Sequence, residues 1–239
     1  MRASFVRLQW ENAAQTIATF FFKPAGTYRY EAGQYAVISL PHDNPDNRGI
    51  NRTMTLSSSP DDELLAFTMR ITNGGGIGSS SFKHALLQLK PGDEITVFES
   101  LGDLVLPLDT AIPLVFIAGG VGIASFTGMT TWITQHGGSR DVQLHYVVAR
   151  PEDVVMQSVF DDLIKQGNST RPLNLTKRIY TPDVKRLTAP DILAAARPDS
   201  LFYLSGTEKL VETLRQDLLN HGVLRSSIVF DYFDGYSEL

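Results

Sequence analysis

The chain has 239 residues, 43% of them apolar and 20% charged, with a formal net charge of −5 and no cysteine. That length and apolar content suit one large or two modest domains with a real core. The acidic balance, without a basic block, argues against nucleic acid as a partner, and the lack of cysteine excludes disulfides, thiolate metal sites and an iron–sulfur cluster on this chain.

In chain order, 5–8, 16–22, 35–40, 52–57, 64–71 and 94–98 are rich in β-branched and aromatic residues, and Gly, Pro, Asn or Asp separates them. Six such segments close most economically as an antiparallel Greek-key barrel. The run Phe20 to Phe22 reads as barrel core. Residues 41–51, with their Asp, Asn, Pro and Gly, read as a loop feeding the fourth strand. One capping helix interrupts this half: Phe82, Ala85, Leu86 and Leu89 fall at i, i+3, i+4 and i+7, and Pro91-Gly92 ends the pattern.

Two stretches here carry chemistry. Asn51 to Pro60, NRTMTLSSSP, sets the planar fork of Arg52 beside the hydroxyls of Thr53, Thr55, Ser57 and Ser58, an arrangement that suits a phosphate-bearing cofactor. Gly74 to Ser81, GGGIGSSS, leads into the helix, and a glycine-preceded helix N-terminus is an anion site. Taken singly, the first reads equally as an ordinary Thr/Ser-rich strand, and the second more readily as a glycine loop with a serine cap. Together, Arg52 and Gly78, Ser79, Ser80 and Ser81 make two halves of a diphosphate clamp.

After Leu106-Pro107 the texture changes. Apolar runs at 113–118, 142–148, 173–179, 201–204 and 228–232 alternate with helical patterns at about 123–135, 152–166, 189–196 and 208–220, the signature of a doubly wound α/β domain with a five-stranded parallel sheet. The expected domains are therefore 1–108 and 109–239. In the last helix Thr207 is the cap, and Leu210, Val211, Leu214 and Leu218 share a face. Between the first of these strands and its helix lies AGGVGIAS, Ala118 to Ser125, whose glycines allow a tight turn where such sheets bind nucleotides; Ser125 stands where the usual third glycine would be.

No apolar run reaches the ~18 residues of a membrane span. The first residues, MRASFVRLQWEN, lack the apolar core of a secretory signal, so a cytoplasmic protein is expected. His42, His84, His136, His145 and His221 show no metal-ligand spacing, and GIASFTG spaces its glycines wrongly for a serine-hydrolase elbow.

These motifs, in this order, resemble the ferredoxin–NADP reductase superfamily. YEAGQY at Tyr30 to Tyr35 is similar to its FEAGQY segment and Arg52-Thr53-Met54-Thr55 to its RxYS flavin motif. Gly78 to Ser81 corresponds to the phosphate loop, GGVGIAS to the GGxGIxP nucleotide loop, and Ser205 to Leu210 to the CGxxxM element. The resemblance covers almost the whole chain and implies a flavin-binding barrel joined to a nicotinamide-nucleotide domain, with no iron–sulfur domain. It implies an FAD-dependent NAD(P)H oxidoreductase that passes hydride to flavin and electrons to an acceptor, a separate redox protein being one option. A flavin- or nucleotide-binding relay or regulatory module with little nicotinamide turnover is the alternative, because Met54 replaces the stacking tyrosine and Ser205 the cysteine facing the nicotinamide.

Carried over residue by residue, Arg52, Thr53 and Met54 hold flavin, Thr55 lies near its reactive nitrogen, and Thr68, Met69 and Arg70 contact it through the main chain; Arg70 reads equally as a strand-edge charge. Gly78 with Ser79 to Ser81 cradles the diphosphate. Gly120, Val121, Gly122, Ile123 and Gly206 bind the nicotinamide coenzyme, with Ser205 beside the reacting ring. FAD is preferred to FMN because two phosphate-binding elements suit a diphosphate. Arg150 and Lys177-Arg178, at the ends of the second and third parallel strands, favour NADPH over NADH mildly; Arg150 reads almost as well as a diphosphate contact or a solvated charge. Phe233 or Tyr236 is expected to cover the flavin ring, or else to close the sheet edge.

Overall fold

The computed structural model describes every residue except 72–79, 137–139, 168–172 and 234–239. Gly78, Ser79 and Tyr236 therefore lie outside the described residues, and for Phe233 only the backbone is described.

Six antiparallel strands make the first sheet: β1 (Arg2–Trp10), β2 (Ile17–Pro24), β3 (Tyr35–Ser39), β4 (Asn51–Thr55), β5 (Leu65–Arg70) and β6 (Glu94–Leu101). Their order is β4-β3-β6-β1-β2-β5, and an isolated Leu56–Phe67 bridge brings the two edge strands together at one point. All six fall where alternation and turn residues place them. Period-two patterning sends Phe5, Phe20, Phe22 and Phe67 inward, where they meet Phe82 and Leu86 of the helix α1 (Ser81–Gln88). Phe21, between two buried neighbours, faces outward beneath the Arg7 guanidinium, 3.6 Å from its ring centroid.

The second sheet is wholly parallel, in the order β11-β10-β7-β8-β9, from β7 (Leu114–Gly119), β8 (Arg140–Val147), β9 (Leu173–Tyr180), β10 (Leu201–Thr207) and β11 (Ile228–Phe233). Every residue of β7 is buried, Leu114, Phe116 and Ala118 in one core and Val115 and Ile117 in another, as a central strand covered on both faces requires. The helix α2 (Ile123–His136) lies on the first face, its Phe126 ring stacked 4.5 Å from Phe116. On the same core sits α3 (Gln157–Gly167). It starts later than the periodicity predicts, because Pro151–Asp153 form a short 3₁₀ turn and Met156 adopts φ 57°, outside the right-handed helical range. The other face carries the short α4 (Ala189–Leu193) and α5 (Glu208–Asn220), whose cap Thr207 accepts a hydrogen bond from the Leu210 N–H at 3.4 Å.

The two sheets share buried structure. Ile17, Ala32 and Leu104 join the Phe116–Phe126 core, and Tyr203 donates to the Val105 carbonyl at 2.9 Å. Along this seam, Gly128 of α2 lies so close to the Ser58 carbonyl that a Cβ would sit 2.6 Å from its oxygen. The seam brings the end of β5 to the mouth of the parallel sheet.

Candidate functional site

A cavity of about 420 Å³ opens where the C-terminal ends of β7, β8, β9 and β10 converge. Parallel strands put their loops on one side, so the turns after all four meet there, the ordinary binding crevice of open α/β sheets. Gly119-Gly120-Val121 forms one wall, Thr181-Pro182 and Lys185-Arg186-Leu187 after β9 another, and Thr207, Lys209 and Leu210 a third; Arg70, the last residue of β5, reaches in from the other sheet.

The glycines divide into two kinds. A Cβ on Gly122 would lie 2.2 Å from the Ser205 carbonyl oxygen, and Gly119 and Gly206 face each other so closely that a Cβ on Gly206 would sit 3.0 Å from the Gly119 Cα. These positions let the β7 turn seat on β10. Gly120 differs: it has φ 53°, and nothing lies within 4 Å of where its Cβ would be, so its backbone faces the open cavity. Val121 shares that wall, while Ile123 is fully buried beneath it. Ser205 is fully buried, and its hydroxyl lies 3.3 Å from that of Ser125, so two positions 80 apart in sequence share one buried hydroxyl pair.

The cations around the cavity are not the ones that strand ends suggest. β9 continues to Tyr180, which leaves Lys177 and Arg178 inside the strand on opposite faces. Lys177 pairs with Asp161 of α3 at 2.6 Å. Arg150 is engaged by Asp153 at 3.3 Å and Glu152 at 3.6 Å. The cavity wall instead carries Lys185, Arg186 and Lys209. Lys185 pairs with Asp191, and no partner is described for Arg186 or Lys209 among the described residues. Thr181 adds a buried hydroxyl with no hydrogen-bond partner among the described residues, polar capacity that the fold itself leaves unused.

Arg70 is held by Asp153, whose side chain is 2% exposed and accepts from Arg70 Nη1 and Arg150 Nη2 on one oxygen, each at 3.3 Å. Burial alone would raise the Asp153 carboxyl, but hydrogen bonds from Arg150 and Arg70 outweigh it and hold the group below the usual carboxylate range. The neighbouring residues of β5 turn elsewhere. Met69 is in the barrel core, and Thr68 sits in a buried hydroxyl ladder, 2.8 Å from Thr19 and 2.9 Å from Ser57.

The second cluster gathers around Arg52 on β4. Its guanidinium donates to Asp46 Oδ1 at 3.0 Å, to the Gly49 carbonyl at 2.9 Å and to Ser80 Oγ at 3.5 Å, and its carbon lies 5.0 Å from the Phe82 ring centroid. The other Asp46 oxygen accepts from the backbone N–H of Ser81, the first residue of α1, at 3.2 Å. So Arg52, Ser80 and Ser81 do converge, and a carboxylate stands among them. The Arg48 guanidinium beside Asp46, with the Arg48 and Ser81 amides, holds its carboxyl far below the usual range. Thr53 is exposed, Met54 rests against the barrel core and Thr55 is buried.

Both clusters fit the groups that the fold implies. A carboxylate stand-in on Arg52 and Ser81 shows donors set for an anion, and the Gly120 cradle with Arg186 and Lys209 on the same cavity wall suits a nucleotide phosphate. Comparison with solved structures decides the architecture. The FAD/NAD-binding domain of a nitric oxide dioxygenase from Vibrio cholerae superimposes with a TM-score of 0.79 over 97% of this chain and 98% of that one, at 20% identity. Ferredoxin-NADP+ reductase from Plasmodium falciparum gives 0.80 over 97% and 95%, at 14% identity. The chain has the ferredoxin–NADP reductase superfamily fold. In sequence, the chain is 26% identical to a flavohemoprotein from Xylella fastidiosa over 234 residues, 94% of this chain and 57% of that protein. It is 26% identical to the carnitine monooxygenase reductase subunit of Escherichia coli, over 85% of this chain and 59% of that protein. The chain thus spans less than two thirds of the length of these curated relatives. No family model matches it.

Sequence reasoning missed Asp46, Asp153, Arg186 and Lys209. For Arg186 and Lys209 a signal existed: the crevice rule points to the loop after a parallel strand, here TPDVKR, and to the start of the helix after β10. For Asp46 and Asp153 there was none, because an acidic residue in a loop looks alike whether it faces water or a buried guanidinium.

Proposed function

We propose that this chain is an FAD-dependent NAD(P)H oxidoreductase, with residues 1–108 binding flavin and 109–239 binding the nicotinamide coenzyme. The observation that carries the reading is the cavity at the ends of four parallel strands, walled by the Gly120 turn and reached by Arg70 from the neighbouring barrel. A coenzyme seated there meets the barrel, which ring-to-ring transfer needs. When bound, FAD supplies the two-electron acceptor that can release electrons onward. The chain's own residues bind and orient: Arg52, Ser80 and the Ser81 amide take the flavin phosphates, and Gly120, Arg70 and Lys209 take the coenzyme diphosphate. Arg186 and Lys185, on the cavity wall after β9, would take a 2′-phosphate, a reading that prefers NADPH over NADH and gives these residues the role expected of Arg150 and Lys177.

Relatives named as the reductase subunit of carnitine monooxygenase and the electron transfer component of toluate 1,2-dioxygenase support a separate redox protein as acceptor. No helix among the described residues is long and apolar enough to cross a membrane. The test is the absorbance spectrum of the purified protein with chromatography of the released cofactor, followed by NADPH and NADH oxidation with ferricyanide as acceptor. A protein that takes up no flavin refutes the proposal. A second reading, a flavin-binding relay with little nicotinamide turnover, is favoured by Ser205, whose hydroxyl is turned to Ser125 in the core. Full flavin content without NAD(P)H oxidation selects it.

A further inference from the structure

Asp46 occupies the same donors that the flavin reading assigns to phosphate. One carboxylate oxygen takes Arg52 Nη2 at 3.0 Å and the other takes the Ser81 amide at 3.2 Å, which is how a phosphate would bridge a guanidinium and a helix N-terminus. The latch is reinforced from both sides. The Asp46 N–H donates to Ser81 Oγ at 2.9 Å, and Arg48 Nη2 pairs with the outer carboxylate oxygen at 2.8 Å. His42 Nδ1 lies 2.7 Å from the Leu40 carbonyl, which can only accept, so that nitrogen donates, and Nε2 lies 2.9 Å from Ser81 Oγ. Four residues from the 42–48 loop and the start of α1 are thereby tied to one another.

The loop is closed at its base and bracketed by two left-handed residues. Its base is pinned by the Leu40 N–H donating to the Ile50 carbonyl at 3.0 Å, while Asn44 at φ 50° and Gly49 at φ 69° bracket Asp46 with left-handed backbone. Nothing lies within 4 Å of the Gly49 Cβ position. A carboxylate and a phosphate cannot both stand between Arg52 and Ser81, since like charges repel at that range and the donors are shared.

We propose that Asp46 is an internal competitor for the diphosphate site: it holds the 41–50 loop closed on Arg52 and α1, and entering cofactor displaces it, so that Asp46 sets flavin affinity. The inference rests on the flavin reading for the identity of the ligand, and on the geometry alone for the competition. Asp46→Asn keeps the shape and removes the charge that competes. It is expected to bind FAD about tenfold more tightly than the wild type in a flavin-fluorescence titration, and to bind inorganic pyrophosphate more tightly in calorimetry by a similar factor. On unaltered protein, pyrophosphate is expected to speed hydrogen exchange at the Asp46 amide, which leaves Ser81 Oγ when the latch opens. If neither protein binds FAD but the variant gains pyrophosphate affinity, the flavin reading falls and the competition stands. Equal or weaker pyrophosphate binding by the variant, or an Asp46 amide whose exchange pyrophosphate leaves unchanged, overturns the proposal.

Discussion

Replacing Asp153 by Asn should loosen the joint between the barrel and the coenzyme cavity. The carboxylate is 2% exposed and bridges Arg70, 13% exposed, with Arg150, 55% exposed. Removing one partner of a buried pair costs ~3–5 kcal/mol because the other charge is left uncompensated. Three features reduce that figure here. Arg150 is solvated and loses little; Arg70 borders a cavity that admits water; and the 3.3 Å contacts are longer than the ~2.7–2.9 Å of strong charge-assisted bonds. We expect a loss of about 1–2 kcal/mol, or a fall in Tm of about 2–8 °C for a chain of this size. The sign of the pH dependence follows from the depressed carboxyl: folded Asp153 binds its proton less readily than unfolded Asp153, so its contribution is complete above the unfolded value of ~3.9 and fades as pH falls through the folded one. The wild-type advantage should hold from neutral pH down to about pH 4 and shrink below it. Thermal unfolding by circular dichroism at low salt measures it, with Arg150→Ala as a control expected to stay within about 0.5 kcal/mol. A Tm unchanged by Asp153→Asn, or a gap that widens in acid, refutes the reasoning.

Further outcomes are as direct. Arg186→Ala should raise KM for NADPH about tenfold and leave that for NADH unchanged, as loss of one charge-assisted contact to a 2′-phosphate requires; equal effects on both coenzymes would remove it from that role. Gly122→Ala meets the Ser205 carbonyl at 2.2 Å and should cost more than about 3 kcal/mol in urea unfolding, whereas Gly120→Ala, strained only by its φ of 53°, should cost about 1 kcal/mol. The reverse ranking would show that the turn seats differently. Burial, aided by nearby Arg178, holds the His145 imidazole down to about 4 against an ordinary 6.5. The unfolded chain takes that proton first, so stability is complete above pH 6.5 and lost toward pH 4, by up to about 3 kcal/mol at ~1.4 kcal/mol per unit. His145→Gln should flatten this acid limb, and an unchanged limb would place the lost protons elsewhere.

What could be read in advance is what short-range chemistry encodes. All eleven strands among the described residues were legible because β-branched and aromatic runs between turn residues commit a segment locally, and β7 betrayed its double burial by having no polar residue at all. Thr207 and the Leu210, Val211, Leu214 and Leu218 face determined α5 to the residue. The Arg52 strand, the serines opening α1 and the glycine turn after β7 were visible as phosphate-binding types for the same local reason.

Which charge meets which partner was a tertiary decision. Arg70 and Asp153 are 83 positions apart and Ser125 and Ser205 80 apart, and no local pattern couples them. Lys177 appeared to guard a nucleotide because it was read as standing at the end of β9; it lies three residues before that end, is committed to Asp161, and leaves the cavity to the loop beyond. Asp46 is the sharpest case. Its sequence neighbourhood specifies only a turn, and its place between Arg52 and Ser81 exists because strand pairing and helix packing bring β4 and α1 to the same point. Secondary structure follows from backbone preference and periodic burial, which a few neighbouring residues determine; the pairing of polar groups follows from desolvation and distance, which only the assembled fold supplies.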